Sequence, residues 1–255
     1  PGGPRTPRND PAKAMTISAE QPRGPSPAHA DTPVTATPAT HQVGSENLPS
    51  TPPKPSRTGR GLPPGTVTGY FTPKEKIGRL LWTVVQATIF RYSPRRADGW
   101  RAALLRLFGA KVGRVSLLRG TVRIEVPWNI ELGDGVQVGD RVYLYSLGRI
   151  SIGDHTVVSQ FSHLCAGTHD FERTDFPLLR VPIRIGSRCW IASESFVGPG
   201  VTIGDGVVVG ARASVLKDLP AWKVCVGTPA KPVSDRILSD PDTGRRLDPY
   251  EGGKG

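Results

Sequence analysis

An aliphatic residue recurs at every sixth position through Ile185, Ile191, Val197, Ile203, Val209 and Val215. Four positions after each come Cys189, Ser195, Val201, Val207, Ala213 and Leu219, most of them small. The same step runs upstream through Leu132, Val138 and Leu144, and again through Ile152, Val158 and Leu164, with a slip of two residues between the two sets. Neither the 3.6-residue period of a helix nor the two-residue period of a strand produces this spacing. A sustained step of six belongs to a parallel β-helix. Each hexapeptide makes one short strand and one corner of a triangular prism. The aliphatic side chain points inward, onto its counterpart eighteen residues on, and the small residue fills the space beside it. Gly with Asp, as in Gly153-Asp154 and Gly204-Asp205, is expected to make the tight corners. A coil buries its inside only by stacking on neighbours, so both ends of such a prism need covers.

The remaining sequence divides around this repeat. Much of the proline lies before Gly65, where aromatic and large aliphatic residues are almost missing. Such a segment buries too little surface to offset its ordering entropy, so residues 1–65 read as a disordered Pro-rich tail. It also lacks the apolar core of a secretory signal. The run Ile77 to Phe90 is short of the roughly 20 residues that span a bilayer. It reads as a helix with Leu80, Leu81, Val84, Val85, Thr88 and Phe90 turned to a core, broken at Ser93-Pro94. A second amphipathic helix follows over about Ala97 to Phe108. Residues 66–110 are thus a helical cap, 111–229 the β-helix, and 230–255 a C-terminal tail. Packing on the main domain is the expected use of the cap. Its basic residues (Lys74, Lys76, Arg79, Arg91, Arg95, Arg96) keep peripheral membrane contact as the alternative.

Three cysteines, an odd number without metal-type spacing, fit a reduced, cytoplasmic setting. A net charge of +11 suits an anionic ligand or surface, such as a phosphate-rich cofactor, a sugar nucleotide or an acidic membrane face. No basic stripe with interleaved aromatics is present, which argues against nucleic acid.

The segments "LLWTVVQATIFRYSPRRADGWRAALLRLFGAKVG", "LYSLGRISIG", "LCAGTHD" and "VGPGVTIGDGVVVGARASVLKDLP", with "VCVGTPAKPV", resemble the colanic acid biosynthesis acetyltransferases among the hexapeptide-repeat acyltransferases. The likeness covers about residues 78–233. It implies a left-handed β-helix, a homotrimer with active sites between subunits, acetyl-CoA as co-substrate with no metal, and a sugar or lipid-linked oligosaccharide acceptor. It also implies that His169 is the general base. Thr168 reads as the small inward residue, His169 one step later as projecting from a corner, and the regular step breaks just beyond. If Ile152 stacks on Ile185, fifteen residues leave the coil there. An imidazole near neutral pKa is the usual base for a hydroxyl proton. Asp170 orients that ring or belongs to a turn. Cys165 reads as packing rather than as a nucleophile. By the same resemblance Trp190, Ser193 and Ala211 line the coenzyme A groove, and Tyr145 and Ser146 face the acceptor. Arg212, Lys217 and Lys231 are candidates for its phosphates, with a solvated charged face as the competing reading of each. Ala192 and Leu216 depart from the residues common at their positions.

Two rivals stand beside this reading. A γ-type carbonic anhydrase needs three histidines on zinc, and His155, His163 and His169 are present without the paired spacing of that family. A non-catalytic β-helical scaffold of a polysaccharide assembly complex uses the same prism without chemistry.

Overall fold

The computed structural model describes residues 62–114, 117–239 and 243–247. The tail expected over 1–65 lies, up to residue 61, outside the described residues. From Lys111 the chain winds through short strands that stack in parallel on three faces. The first face stacks Lys111–Val112, Ile130–Leu132, Ile150–Ile152, Ile183–Ile185 and Thr202–Ile203. The second stacks Leu117–Leu118, Gln137–Val138, Val157–Val158, Trp190–Ile191, Val208–Val209 and Lys223–Gly227. The third stacks Arg123–Ile124, Tyr143–Tyr145, His163–Cys165, Phe196–Val197 and Ser214–Val215. Every aliphatic position of the repeat is buried, and so is the small position four residues on. Each such burial stabilises the coil by about 1.5–3 kcal/mol for a Val, Leu or Ile side chain.

The corners work differently from the sequence expectation. Gly133 and Gly153 do not have positive φ. A Cβ on Gly133 would lie 2.1 Å from Asp154 Oδ1, because that carboxylate reaches back across the coil to accept from the Asp134 N–H at 2.7 Å. Glycine is required there by the closeness of the next coil. The left-handed backbone falls two residues later, at His155, Arg188 and Trp222, and at Glu194 and Arg212 on the next corner. Placing a side chain in that conformation costs about 1–2 kcal/mol. The cost is offset where each such N–H donates to a carbonyl one coil back, as His155 does to Asp134 and Arg212 to Ser193.

Departures from the step of six collect at one edge, between the third and first faces. The first coils are twenty residues long, with Leu132 on Ile152 and Leu144 on Leu164. Their extra residues form the turn Pro127–Asn129 and the turn 146–149. Ile152 then pairs with Ile185, thirty-three positions on instead of eighteen, so fifteen residues leave the coil at this edge. After Val215 the coil shortens, and Ile203 bridges to Leu219.

Two helices cover the start of the prism: α1 (Pro73–Val85), continued by a π-turn over Gln86–Phe90, and α2 (Asp98–Leu107). Helix α1 begins with a capping box between Thr72 and Glu75. Side chains from these helices satisfy the backbone groups that the first coil leaves without a neighbour. Arg106 donates to Val112 O and Gly113 O. Asp98 accepts from Leu118 N while Arg101 donates to Leu118 O. Gln86 accepts from Ile124 N while Trp82 donates to Ile124 O. The inward face of α1 is therefore Trp82, with Phe90 beyond it, both fully buried. Leu80, Leu81 and Val84, expected to face the core, are exposed instead. At the other end the segment expected as a tail starts with a strand, Ala230–Asp235, antiparallel to Lys223–Gly227. Leu238–Ser239 pairs further on with Arg246–Leu247.

Candidate active site

The fifteen-residue excursion builds a three-stranded antiparallel sheet outside the prism. Thr168–His169 pairs with Leu178–Arg180, and that strand pairs with Val67–Thr68 from the segment before α1. Arg180 locks the arrangement to the cap. Its guanidinium meets Glu75 at 3.1 Å and lies 4.9 Å over the Phe71 ring. Thr168 is thus not an inward residue, as the repeat suggested. Ala166 fills the inward position, fully buried, and both Thr168 and His169 stand off the coil on their own strand.

His169 is half-buried, and its orientation comes from Phe176, seven residues on. Nδ1 lies 2.9 Å from Phe176 O, and the two rings stack at 4.5 Å with an interplanar angle of 11°. A carbonyl oxygen only accepts, so Nδ1 carries the proton and the Nε2 lone pair of the neutral ring is left for an outside donor. Phe176 has φ 45°, an uncommon conformation for an aromatic residue. No sequence pattern marks Phe176, because its role depends on the register of a hairpin closed by Arg173 and Asp175, whose side chains pair at 2.8 Å.

Asp170 does not orient the imidazole. Its carboxylate accepts from Glu172 N, and its own N–H donates to Pro177 O, so it shapes the turn. Tyr145 packs toward the excursion beside Val126, Leu147 and Leu178. Burial raises its phenol pKa. Ser146 has no exposed surface. Its hydroxyl donates to Val126 O and accepts from Val126 N, both at 2.9 Å. It joins two coils and presents nothing to an acceptor, which corrects the expectation for this residue. Burial also pushes the Cys165 thiol up, and its S–H reaches Gly167 O at 3.3 Å. A half-buried thiol held protonated is a poor nucleophile.

The residues expected on the coenzyme side sit elsewhere on the prism. Trp190 projects outward from the second face with Nε1 donating to Ser159 Oγ at 3.0 Å. It lines a groove of about 470 Å³ with His155, Arg188, Trp222 and Arg236. Sequence reasoning missed both of these arginines. Ser193, Ala211 and Arg212 stack at the edge between the second and third faces, and Arg212 is held by Glu194 at 2.7 Å. Lys231 is exposed on the added strand of the second face. Lys217 lies at the other edge, between the third and first faces, as His169 does. The third face therefore separates His169 and Lys217 from Trp190, Ser193, Ala211 and Arg212 within one chain.

The third face carries a stacked outer row. The Arg123 guanidinium lies over Tyr143, Tyr143 stacks on His163 at 4.8 Å, and His163 meets Phe196 edge-on. His163 Nε2 is buried without a hydrogen-bond partner, and desolvation lowers its pKa. Among the described residues no group of three or more His, Cys, Asp or Glu side chains is placed to hold a metal ion.

Comparison with known proteins agrees with this geometry. The family "Bacterial transferase hexapeptide (six repeats)" matches residues 182–217. The colanic acid biosynthesis acetyltransferase WcaF of Escherichia coli K12 is 51% identical over 179 residues, which cover 68% of this chain and 98% of that protein. A hexapeptide-repeat-containing acetyltransferase of Vibrio cholerae O1 biovar eltor, solved with acetyl coenzyme A, aligns with a TM-score of 0.58 at 26% identity, over 64% of this chain and 90% of that one. A maltose O-acetyltransferase of Clostridium difficile 630 shares the fold, with a TM-score of 0.57 at 24% identity, over 66% of this chain and 91% of that one. A prism wound in steps of six, broken at one edge by a strand that presents a pinned histidine, and half-identical to a relative along nearly all of that relative's length, belongs to the colanic acid biosynthesis acetyltransferase family.

Proposed function

We propose that the chain transfers an acetyl group from acetyl-CoA to a sugar hydroxyl of a cell-surface polysaccharide precursor, in the cytoplasm, with His169 as general base. The observation that carries this reading is the hydrogen bond from His169 Nδ1 to Phe176 O, which leaves Nε2 to accept a proton. In the proposed step Nε2 takes the proton of the acceptor hydroxyl as its oxygen forms the new bond to the acetyl carbon. The carbon–sulfur bond of the thioester breaks, and the imidazolium returns its proton to the departing sulfur. A backbone N–H stabilises the oxyanion formed in between. Acetyl-CoA supplies an activated acyl carbon, so no acyl-enzyme is needed, and the raised pKa of the half-buried Cys165 thiol supports direct transfer. Trp190, Ser193 and Ala211 are proposed to line the pantetheine path, with Arg212, Lys217 and Lys231 toward the phosphates. Tyr145 is the acceptor-side residue that remains once Ser146 is set aside.

The chain is proposed to act as a homotrimer. The base lies at one edge of the third face, and Ser193, Ala211 and Arg212 of the coenzyme side lie at the other. They meet where one copy's edge abuts the other edge of the next.

The test is His169→Ala. Transfer to a sugar acceptor, followed as coenzyme A release, falls by roughly 10²–10⁴-fold, while acetyl-CoA binding measured by calorimetry stays within about twofold of the parent. Full turnover in that variant removes His169 from the chemistry. No coenzyme A release from the parent with any acceptor sugar favours the scaffold reading.

A further inference from the structure

Helix α1 carries its apolar stripe on the wrong side for a core. Ile77, Leu80, Leu81 and Val84 follow helical spacing along one face, and each is more than half exposed. The stripe runs on through Thr88, which hydrogen-bonds to Val84 O, into an apolar groove of about 520 Å³. Ile89, Tyr92 and Trp100 line that groove, each at least half exposed. The inner side of the same helix is already occupied by Trp82 and Phe90. A contiguous apolar surface of this kind marks an interaction site.

Charge selects the occupant. Residues 62–110 hold eight basic and two acidic residues. Both acids are consumed inside the structure, Glu75 by Arg180 and Asp98 by Arg101. The exposed charges flanking the stripe, Lys74 and Lys76 before it and Arg91, Arg95 and Arg96 after it, are all positive. A second copy laid on this face would bring like charges together. A surface that is anionic at its rim and apolar beneath matches both features, and that is a bilayer containing acidic phospholipids. Tyr92 and Trp100 suit its boundary, with an apolar body and a polar tip. No helix among the described residues is long and apolar enough to cross a membrane.

We propose that the outward face of α1, its π-turn and Trp100 dock on an anionic lipid surface, with the helix lying in the plane of the headgroups. Docking itself does not depend on the transferase reading. Where that reading holds, the strand of His169 is tied through Arg180 and Glu75 to the first turn of the docked helix. The excursion then stands beside the lipid surface, which suits an acceptor on a lipid carrier.

The full chain is sedimented with vesicles of phosphatidylcholine, with and without phosphatidylglycerol. The expected result is pelleting with the anionic vesicles only, weakened by salt. Leu80→Glu with Leu81→Glu lowers partitioning by about tenfold or more, and Lys74→Glu with Lys76→Glu weakens it similarly. Brominated lipid quenches tryptophan fluorescence in the parent and less so in Trp100→Phe. Thermal unfolding unchanged in these outward-facing variants shows that folding is not the cause. Failure of the parent to bind anionic vesicles overturns the proposal, as does binding indifferent to Leu80→Glu with Leu81→Glu. A change in oligomeric mass in that variant, with no vesicle binding by the parent, assigns the face to contact between copies instead. Coenzyme A release with a water-soluble acceptor, measured without vesicles, reports on the transferase reading separately.

Discussion

Between Tyr143 and Phe196 the imidazole of His163 is held without a partner for Nε2. Desolvation depresses its folded pKa below the ordinary histidine value near 6.5. The unfolded chain therefore takes up the proton first as pH falls, and stability present above about pH 6.5 drains away below it. The expected outcome is a thermal midpoint that drops between about pH 7 and 5 and drops less in His163→Phe, which keeps the stack. An identical pH profile in the two proteins rules this group out. Glu125 sits beside this row under opposing influences. Burial pushes its carboxyl up most strongly, but hydrogen bonds from Tyr143, Arg123 and Arg79 together hold it below the usual carboxylate range. At this scale the position of His169 beside a break in a strict repeat was legible, and its proposed role as base is what His169→Ala tests. Its orienting group was not. Asp170, the sequence neighbour, turned into its own loop, and the carbonyl of Phe176 took the place because hairpin pairing carries that residue back over seven positions.

Among the elements, the strands declared themselves and the helices only half did. Six-residue spacing determines which side chains face inward, and every aliphatic position of the repeat is buried. An apolar stripe on a helix shows only that one face avoids water, and here the stripe did not find the core. The first coil needed a donor for Ile124 O, which Trp82 Nε1 supplies at 2.8 Å and a leucine cannot. Two substitutions separate what this residue does. Trp82→Phe keeps the ring contacts to Phe90 and Phe108 but drops the indole N–H, and is expected to cost about 1–3 kcal/mol in denaturant unfolding. Trp82→Ala also opens a cavity and is expected to cost about 3–5 kcal/mol. A Trp82→Phe protein as stable as the parent would mean that the hydrogen bond contributes nothing of its own.

Over the whole molecule, departures from the regular step gather at the edge that carries His169, while Trp190, Ser193, Ala211 and Arg212 lie across the third face from it. The proposed site shared between copies would account for this division, and it makes a prediction that a site within one chain does not. Chains with His169→Ala are co-assembled with chains blocked on the coenzyme side by Ala211→Trp, each inactive alone. Mixed trimers are expected to regain turnover, since some interfaces join an intact histidine to an intact groove. A mixture as inactive as its parts places the site within a single chain. The prism was legible at this scale because its repeat is local. The proposed pairing of edges depends on how copies meet, which no local pattern encodes.

The seal on the first coil has one more consequence. Its six satisfied groups at Val112, Gly113, Leu118 and Ile124 are held by side chains of α1, its π-turn and α2, not by another strand. A parallel ladder laid bare at that rung would be a template, its spacing already that of the next turn of an identical molecule. The two helices thus act as a stopper against end-to-end polymerisation, and a chain stripped of them would be prone to grow into filaments.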